Sequence, residues 1–506
     1  MRKWVWLATA GVLTLGAPAT VRAADTPVAT GTIEAAVDAA ATKRDNHDNK
    51  GAEADLKALM DDPRFAGAST QTRARLLTLL GVCENVDHEP DAALQHLNEA
   101  GTINPDGRNR YYWVEMAFVA LRLNRDDLLG DALTKAVTIA PDRANTLSAE
   151  FISEVLRRLH KLKDGDAHRR QLLEALVEAH YDPSGYPVVG ETVRRSLFKL
   201  YADAGEDAKA RDLLPGLITP ASFISLHADN RYRKYVADNA NFADFQETID
   251  RYIAYLRSRQ ASGGLPVAQE LALTLAAANR LPEAMQVVDN ALALGDLEPG
   301  ADSPDFGKES KWLLDTRTRI LALMGRWDEV EAAQIKARDV ALKEGVDQVS
   351  QKINLADLYN RLGRPQDALK ELSDLKMEGA SIYGKMVAEQ VRACAYAVQG
   401  DKEKLKTSLD TLRAHQDDAP RLLSDALVCT GDEDGAAALL IARLDDPDLR
   451  GSELGRDQTY LPAPHPTAFD QMIAAHDANI LKRPDVQAAI AKYGVIETYP
   501  ILVTGD

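Results

Sequence analysis

The amino-acid sequence predicts an all-α fold of stacked antiparallel helix hairpins. Three observations carry this. A hairpin-length pattern of apolar and small residues recurs every 32 to 46 residues or so, about the length of one helical repeat. A short turn of one composition recurs inside it. The chain is 45% apolar and only 6% aromatic, with long stretches rich in Ala, Leu, Asp and Arg, a mixture that suits helices packed through small residues. At 506 residues it is too long for one compact core, so several domains or an extended array is expected.

The clearest unit runs from Ala74 to Pro105. Leu77, Leu80 and Gly81 fall on its first helix; Glu89-Pro90-Asp91 turns the chain; Ala93, Leu97 and Ala100 fall on its second. Two antiparallel helices approach closely only where a side chain is small. Ala93 and Gly81 supply that clearance, and Leu77 and Leu97 fill the space beside it. Pro105, lacking an amide donor, ends the second helix. Each hairpin leaves an apolar face bare until the next one stacks on it.

This arrangement resembles the tetratricopeptide-repeat family, although Glu84 stands where that family places an aromatic residue on the first helix. Trp113, Ala117, Leu133, Ala136 and Pro141 repeat the pattern, as do Leu271, Ala284, Val288 and Ala291. Further units centre on Leu321 and Ala337, on Tyr359 and Ala368, on Tyr396 and Leu409, and on Val428 and Ala437. Their turns read Gly or Asn, a polar residue, then Pro or Asp, then an acid, as in Gly363-Arg364-Pro365-Gln366-Asp367. Gly or Asn tolerates the positive φ that ends one helix, and the acid suits the positive end of the next. The resemblance implies a right-handed α-solenoid whose first helices line a concave groove that holds a peptide or partner protein. By position it puts Arg75, Thr78 and Asn85, then Tyr111, Val114 and Phe118, then Asn354, Asp357, Asn360 and Gln390 on that groove.

Breaks in the pattern set the expected organisation. Residues 24–240 form an N-terminal array and 241–450 a C-terminal one, divided in the Pro- and Tyr/Arg-rich stretch Pro215–Asn241. Asp182–Pro187 and Leu297–Lys308 read as loops and Gly451–Pro466 as a linker. A helical pair at about Thr467–Tyr493 then caps the array. The tail after Gly494 is β-prone; it reads as a strap folded over the last helices, with strand addition to a partner as the alternative.

Residues 1–23 read as a secretory signal: Arg2 and Lys3, an apolar run from Trp4 to Leu15, and small residues at Val21 and Ala23. Export to the periplasm or beyond is the expectation, with no membrane span after cleavage. The net charge of −17, more negative still once Arg2, Lys3 and Arg22 are removed, disfavours nucleic acid and anionic membrane as partners. Cys83, Cys394 and Cys429 permit at most one internal bridge. Cys394 and Cys429 fall on first helices of neighbouring repeats, where a bridge is conceivable; buried free thiols are the reading adopted.

Signatures of chemistry are missing. The sequence has no phosphate-binding loop, no dinucleotide fingerprint, no His-Glu-x-x-His and no cofactor motif. His160, His168 and His180 do not share metal-site spacing. The acidic clusters Asp45–Gly51 and Asp432–Gly435 lack the alternating ligands of a calcium loop and read as a turn and a helix start. Glu309-Ser310 is similar to the catalytic pair of soluble lytic transglycosylases, but Lys311-Trp312-Leu313-Leu314 replaces the Gly-Leu-Met-Gln that should follow, so a helix start is preferred. Two aromatic–basic islands, Arg108–Trp113 and Arg231–Tyr235 with Arg251, Tyr252 and Tyr255, offer the groups that recognise peptide or sugar; packing between hairpins is the preferred reading. A non-enzymatic, protein-binding scaffold is therefore expected, with an envelope-glycan module as the alternative.

Overall fold

A computed structural model describes residues 32–183, 188–261, 264–297, 304–344, 348–375, 377 and 380–504. The signal expected at 1–23 lies outside them. The chain divides into two compact units, Met1–Pro183 and Ser184–Asp506. The division falls beside the Asp182–Pro187 stretch and not at 240/241 as the sequence suggested. The Pro215–Asn241 segment is part of the second unit's interior: Phe223, Tyr232, Tyr235 and Val236 are all buried.

Unit 1 holds α1 (Ile33–Asp45), α2 (Asn49–Met60), α3 (Thr70–Val86) and α4 (Pro90–Ile103). It continues with α5 (Arg110–Leu123), α6 (Asp126–Ile139), α7 (Ala149–His160) and α8 (Gly165–Glu178). They pair in sequence as four hairpins. Side chains just ahead of the helices start them: Asp48, Ser69, Asn109 and Ser148 each accept a bond from an amide in the first turn. The Asp45–Gly51 cluster is thus a turn and a helix cap. The α3–α4 crossing needs its glycine, because a Cβ on Gly81 would stand 3.0 Å from the Ala93 carbonyl oxygen and 3.0 Å from Leu97 Cγ. Leu77, Ala93 and Leu97 have no exposed surface at this crossing, as the spacing predicted.

Unit 2 opens with α9 (Val189–Asp203), α10 (Asp207–Leu213), α11 (Pro220–Ala228), α12 (Arg233–Val236) and α13 (Phe245–Arg259). Five hairpins follow. They are α14 (Gly264–Ala277) with α15 (Leu281–Leu297), α16 (Pro304–Leu323) with α17 (Trp327–Glu344), and α18 (Gln348–Arg361) with α19 (Pro365–Ser373). The last two are α20 (Ile382–Gln399) with α21 (Lys402–Ala414), and α22 (Pro420–Thr430) with α23 (Glu433–Asp445). Their turns share one conformation, with φ of 58° at Asn279, 72° at Gly325, 74° at Gly363 and Gly400, and 75° at Gly431. In three of them an arginine after the turn holds an acid in the first turn of the second helix: Arg280–Glu283 at 2.7 Å, Arg326–Glu329 at 2.6 Å and Arg364–Asp367 at 2.6 Å. Ala284 and Ala368 are fully buried in this stack.

Contacts between successive hairpins are lopsided. Within the five hairpins of unit 2, first helices pack on first helices (α14 on α16, α18 on α20, α20 on α22), and no contact of comparable extent joins their second helices among the described residues; in unit 1 the second helices α6 and α8 do pack on each other. First helices therefore lie on the inner, shorter arc of the curve.

The stack then closes on itself. Beyond α23 lie α24 (Pro447–Arg456), β1 (Thr459–Leu461), α25 (Ala468–Lys482), α26 (Pro484–Tyr493) and β2 (Thr498–Leu502). Helix α24 packs against α11, which itself packs on α13, so the end of unit 2 returns to its start. Arg231 Nη2 donates to the Pro447 carbonyl at 3.1 Å, the Asn230 amide to Tyr493 O at 3.0 Å, and the Val495 amide to Ala228 O at 2.9 Å. Strand β2 runs parallel to β1, which requires a crossover, and α25 and α26 supply it. Tyr499 inserts among aromatic rings, 4.9 Å from Phe245 and 6.2 Å from Phe223 between centroids. The tail is a strap, as preferred from the sequence. The expected linker at Gly451–Pro466 is replaced by helix and strand over most of its length, and the expected loop at Leu297–Lys308 gives way to helix from Pro304.

Candidate functional site

The inner face of unit 2 is polar. On α16, Asp315 accepts from Arg319 Nε at 3.0 Å and from Asn354 Nδ2 at 3.1 Å, joining two successive first helices. On α18, Asp357 has neither hydrogen bond nor ion pair among the described residues, and Arg361, one turn on, binds Asp470 of α25 at 3.0 Å. On α22, Asp425 lies 3.4 Å from Arg421 and 3.8 Å from Arg456 of α24. Arg456 also reaches Glu453 at 3.1 Å and Asp457 at 3.2 Å. Helix α25 brings Asp477 into the fields of Asp425 and Arg456.

Desolvation lifts the carboxyls of Asp315, Asp357, Asp425 and Asp477 above the ordinary range, with nearby arginines opposing the shift. Burial pushes Asp457 up to about 6. Asp357 and Asp425 nonetheless keep solvent access, and Asp477 is exposed. Carboxyls hemmed in by protein yet reachable from water are what a concave surface produces. At Asp470, burial again disfavours ionisation, but the Arg361 bond outweighs it and the carboxyl sits below its usual range. Further round, on α9, Lys199 lies 5.7 Å from the Tyr232 ring centroid, and burial together with Arg195 lowers it to about 8. The inner face thus carries fixed charge of both signs, with an acidic stretch where α18, α22 and α25 meet.

The positions carried over from the family's groove differ in exposure and in partners within each unit. Asn85 and Asn360 are 5% and 2% exposed, so neither reaches a ligand. Asn360 instead donates to the Val391 carbonyl at 2.9 Å, tying α18 to α20. Thr78 bonds its own helix at Ala74 O, and Arg75 pairs with Asp38 of α1. Tyr111 and Phe118 are exposed; Tyr111 accepts from Arg44, and Phe118 lies 5.6 Å from Phe151. Val114 is half-buried on the same helix. Gln390 sits beside Cys394, 3.6 Å from its sulfur. Only Asn354 and Asp357 fall on the charged inner face described above.

Several features escaped the sequence reading. Cys394 and Cys429 form a disulfide with Cα atoms 5.6 Å apart, overturning the free-thiol reading; only Cys83 is free. The bond joins α20 to α22 on the inner arc, where first helices come close enough. The second aromatic island is core: Tyr232, Tyr235 and Tyr252 are 1%, 0% and 1% exposed. The buried Glu84 takes His96 Nδ1 at 2.7 Å, and its oxygens lie within 4.8 Å of those of Glu53 and Glu89. This is the one carboxylate group among the described residues arranged as metal ligands are, and Lys57 already stands in it, 2.6 Å from Glu53. Asp432 caps α23 by accepting from the Gly435 amide at 3.0 Å. The Glu309 side chain lies outside the described residues. Among the described residues no helix is long and apolar enough to cross a membrane.

Fold and site together define an all-α protein of stacked helix hairpins with a charged inner face. No protein-family model matches the chain, and no curated protein matches it. Among solved structures it is similar to a Rap protein complexed with competence and sporulation factor, at 12% identity over 88% of this chain and 99% of that one, TM-score 0.30. Yeast Tom70 matches at 12% over 91% and 99%, TM-score 0.31. The human IFIT1 dimer with m7Gppp-AAAA matches at 13% over 84% and 90%, TM-score 0.31. Backbones that agree at this level do not superpose as wholes. The assignment to stacked hairpins rests on this chain's own helix packing.

Proposed function

We propose that this chain is an exported scaffold that holds a peptide or partner protein against the inner face of unit 2, with a preference for positively charged segments. One observation carries this: the unpaired carboxyls of Asp357 and Asp477 flank Asp425 on a surface that protein surrounds and water still reaches. A cationic side chain entering there would meet carboxylates already partly desolvated, so less is lost on binding. Export is supported by the N-terminal signal pattern and by the Cys394–Cys429 bond, which persists in an oxidising compartment.

Fluorescence anisotropy with labelled peptides of equal length tests the reading. Lys/Arg-rich peptides should bind more tightly than Asp/Glu-rich ones, and Asp357→Asn combined with Asp425→Asn should weaken them by about tenfold, roughly 1.4 kcal/mol. Equal affinity for both peptide classes, or no effect of the double substitution, refutes it.

A further inference from the structure

We propose that α25 is a lid, latched by ionic contacts and hinged at both ends, which opens onto the acidic part of unit 2's inner face. The proposal deepens the binding reading above by naming what controls access to the same surface.

The case begins with how unevenly the C-terminal segment is anchored. At one end β1 lies in the two-stranded sheet; at the other, α26 buries Val486 and Ile490, and β2 buries Tyr499 and Leu502. Between these apolar anchors, α25 runs for 15 residues and fully buries one side chain, Ile480, with Ile473 and Leu481 packed half-buried against the same cluster. A helix with so little buried apolar surface gains little from packing and opens at low cost.

Polar contacts add to this short apolar strip, and they are confined to a few points. Arg361 of α18 donates to both Asp470 oxygens, at 3.0 and 3.2 Å. Glu433 of α23 accepts from Asn479 at 2.9 Å and contacts His476 Nδ1 at 2.7 Å. Arg483, just past the helix, pairs with Asp434 of α23. Every group in these pairs is at least partly exposed, so dissolved salt weakens the whole latch together. Asp477 feels the attraction of Arg456 and, more weakly, the repulsion of Asp425.

The hinges are visible as well. Residues 462–466 between β1 and α25 are all exposed and include Pro462, Pro464 and Pro466. At the other end Arg483 alone, in extended conformation, separates α25 from α26. The first hinge crosses the turn between α16 and α17, where His465 lies over Gly325 so closely that a Cβ there would come within 2.6 Å of its ring. Helix α25 touches both α18 and α22, the two helices that carry Asp357 and Asp425.

Hydrogen exchange with mass spectrometry on the full oxidised chain decides this without any ligand. Amides of 468–482 should exchange at least tenfold faster than those of α22, and 0.5 M NaCl or Asp470→Asn should quicken them a further fivefold or so while α22 stays unchanged. Protection of α25 equal to that of α22, unmoved by salt in the unsubstituted protein and by Asp470→Asn, overturns the lid. A Lys/Arg-rich peptide that fails to bind while α25 behaves as stated sinks the binding reading and leaves the lid standing.

Discussion

Breaking the Cys394–Cys429 bond should loosen the second unit by an amount the chain itself sets. The two cysteines are 35 residues apart, so the bond closes a loop of that length in the unfolded chain. Loop-closure entropy then gives about 4 kcal/mol at room temperature, within the 2–5 kcal/mol or so typical for loss of a native disulfide. Both cysteines are nearly fully buried on α20 and α22, so replacing the pair by Ser adds a small cost for two hydroxyls placed among apolar neighbours. The assay is urea unfolding followed by far-UV circular dichroism on the oxidised protein, the reduced protein and the Cys394→Ser, Cys429→Ser double variant. Reduction and double substitution should lower the unfolding free energy of the less stable transition by similar amounts. Thiol titration in denaturant without reductant should find one thiol per chain, that of Cys83. Three titratable thiols, or a stability change below about 1 kcal/mol, would falsify the reasoning that these first helices are stapled together.

Two further outcomes follow from the strap and from the charge network behind it. Replacing Tyr499 by Ala removes a ring packed against Phe245 and Phe223 and should cost about 3–5 kcal/mol, read as faster limited proteolysis after residue 494 with the α3–α4 hairpin unaffected; an unchanged cleavage pattern refutes it. Asp457 has its folded-state pKa raised from 3.8 to about 6 by burial, so the folded protein holds that proton more tightly. The stabilisation this gives is complete below about pH 4 and is lost as pH rises to about 6, an effect on the order of 3 kcal/mol. Asp457→Asn should flatten unfolding free energy across that window, and a profile as steep as the parent's counts against it.

Much of the architecture was legible because it is written locally. Gly81, Ala93, Ala284 and Ala368 mark crossings because only a small side chain fits there, and Gly325, Gly363, Gly400 and Gly431 mark turns because their φ is positive. Asp432 was readable as a helix start because the partner amide lies three residues away, whereas the cluster holding Asp48 read only as a turn. The candidate site was legible only at Asn354 and Asp357. Spacing says which residues share a helix face, but not how near the neighbouring helix comes, and that distance buries Asn360 against Val391.

By itself, then, the sequence determined the hairpins and their turns, which rest on contacts within a few dozen residues, and the β-prone character of the tail, which is read from composition. Tertiary structure decided the rest: the return of α24 to α11, the bond between Cys394 and Cys429, the division at 183/184, and the laying of α25 across α18 and α22. The bond depends on how closely two neighbouring hairpins approach, and the return of α24 to α11 on the curvature summed over many hairpins. A small change in the angle at each crossing, invisible in any single repeat, sets whether residues more than two hundred positions apart meet.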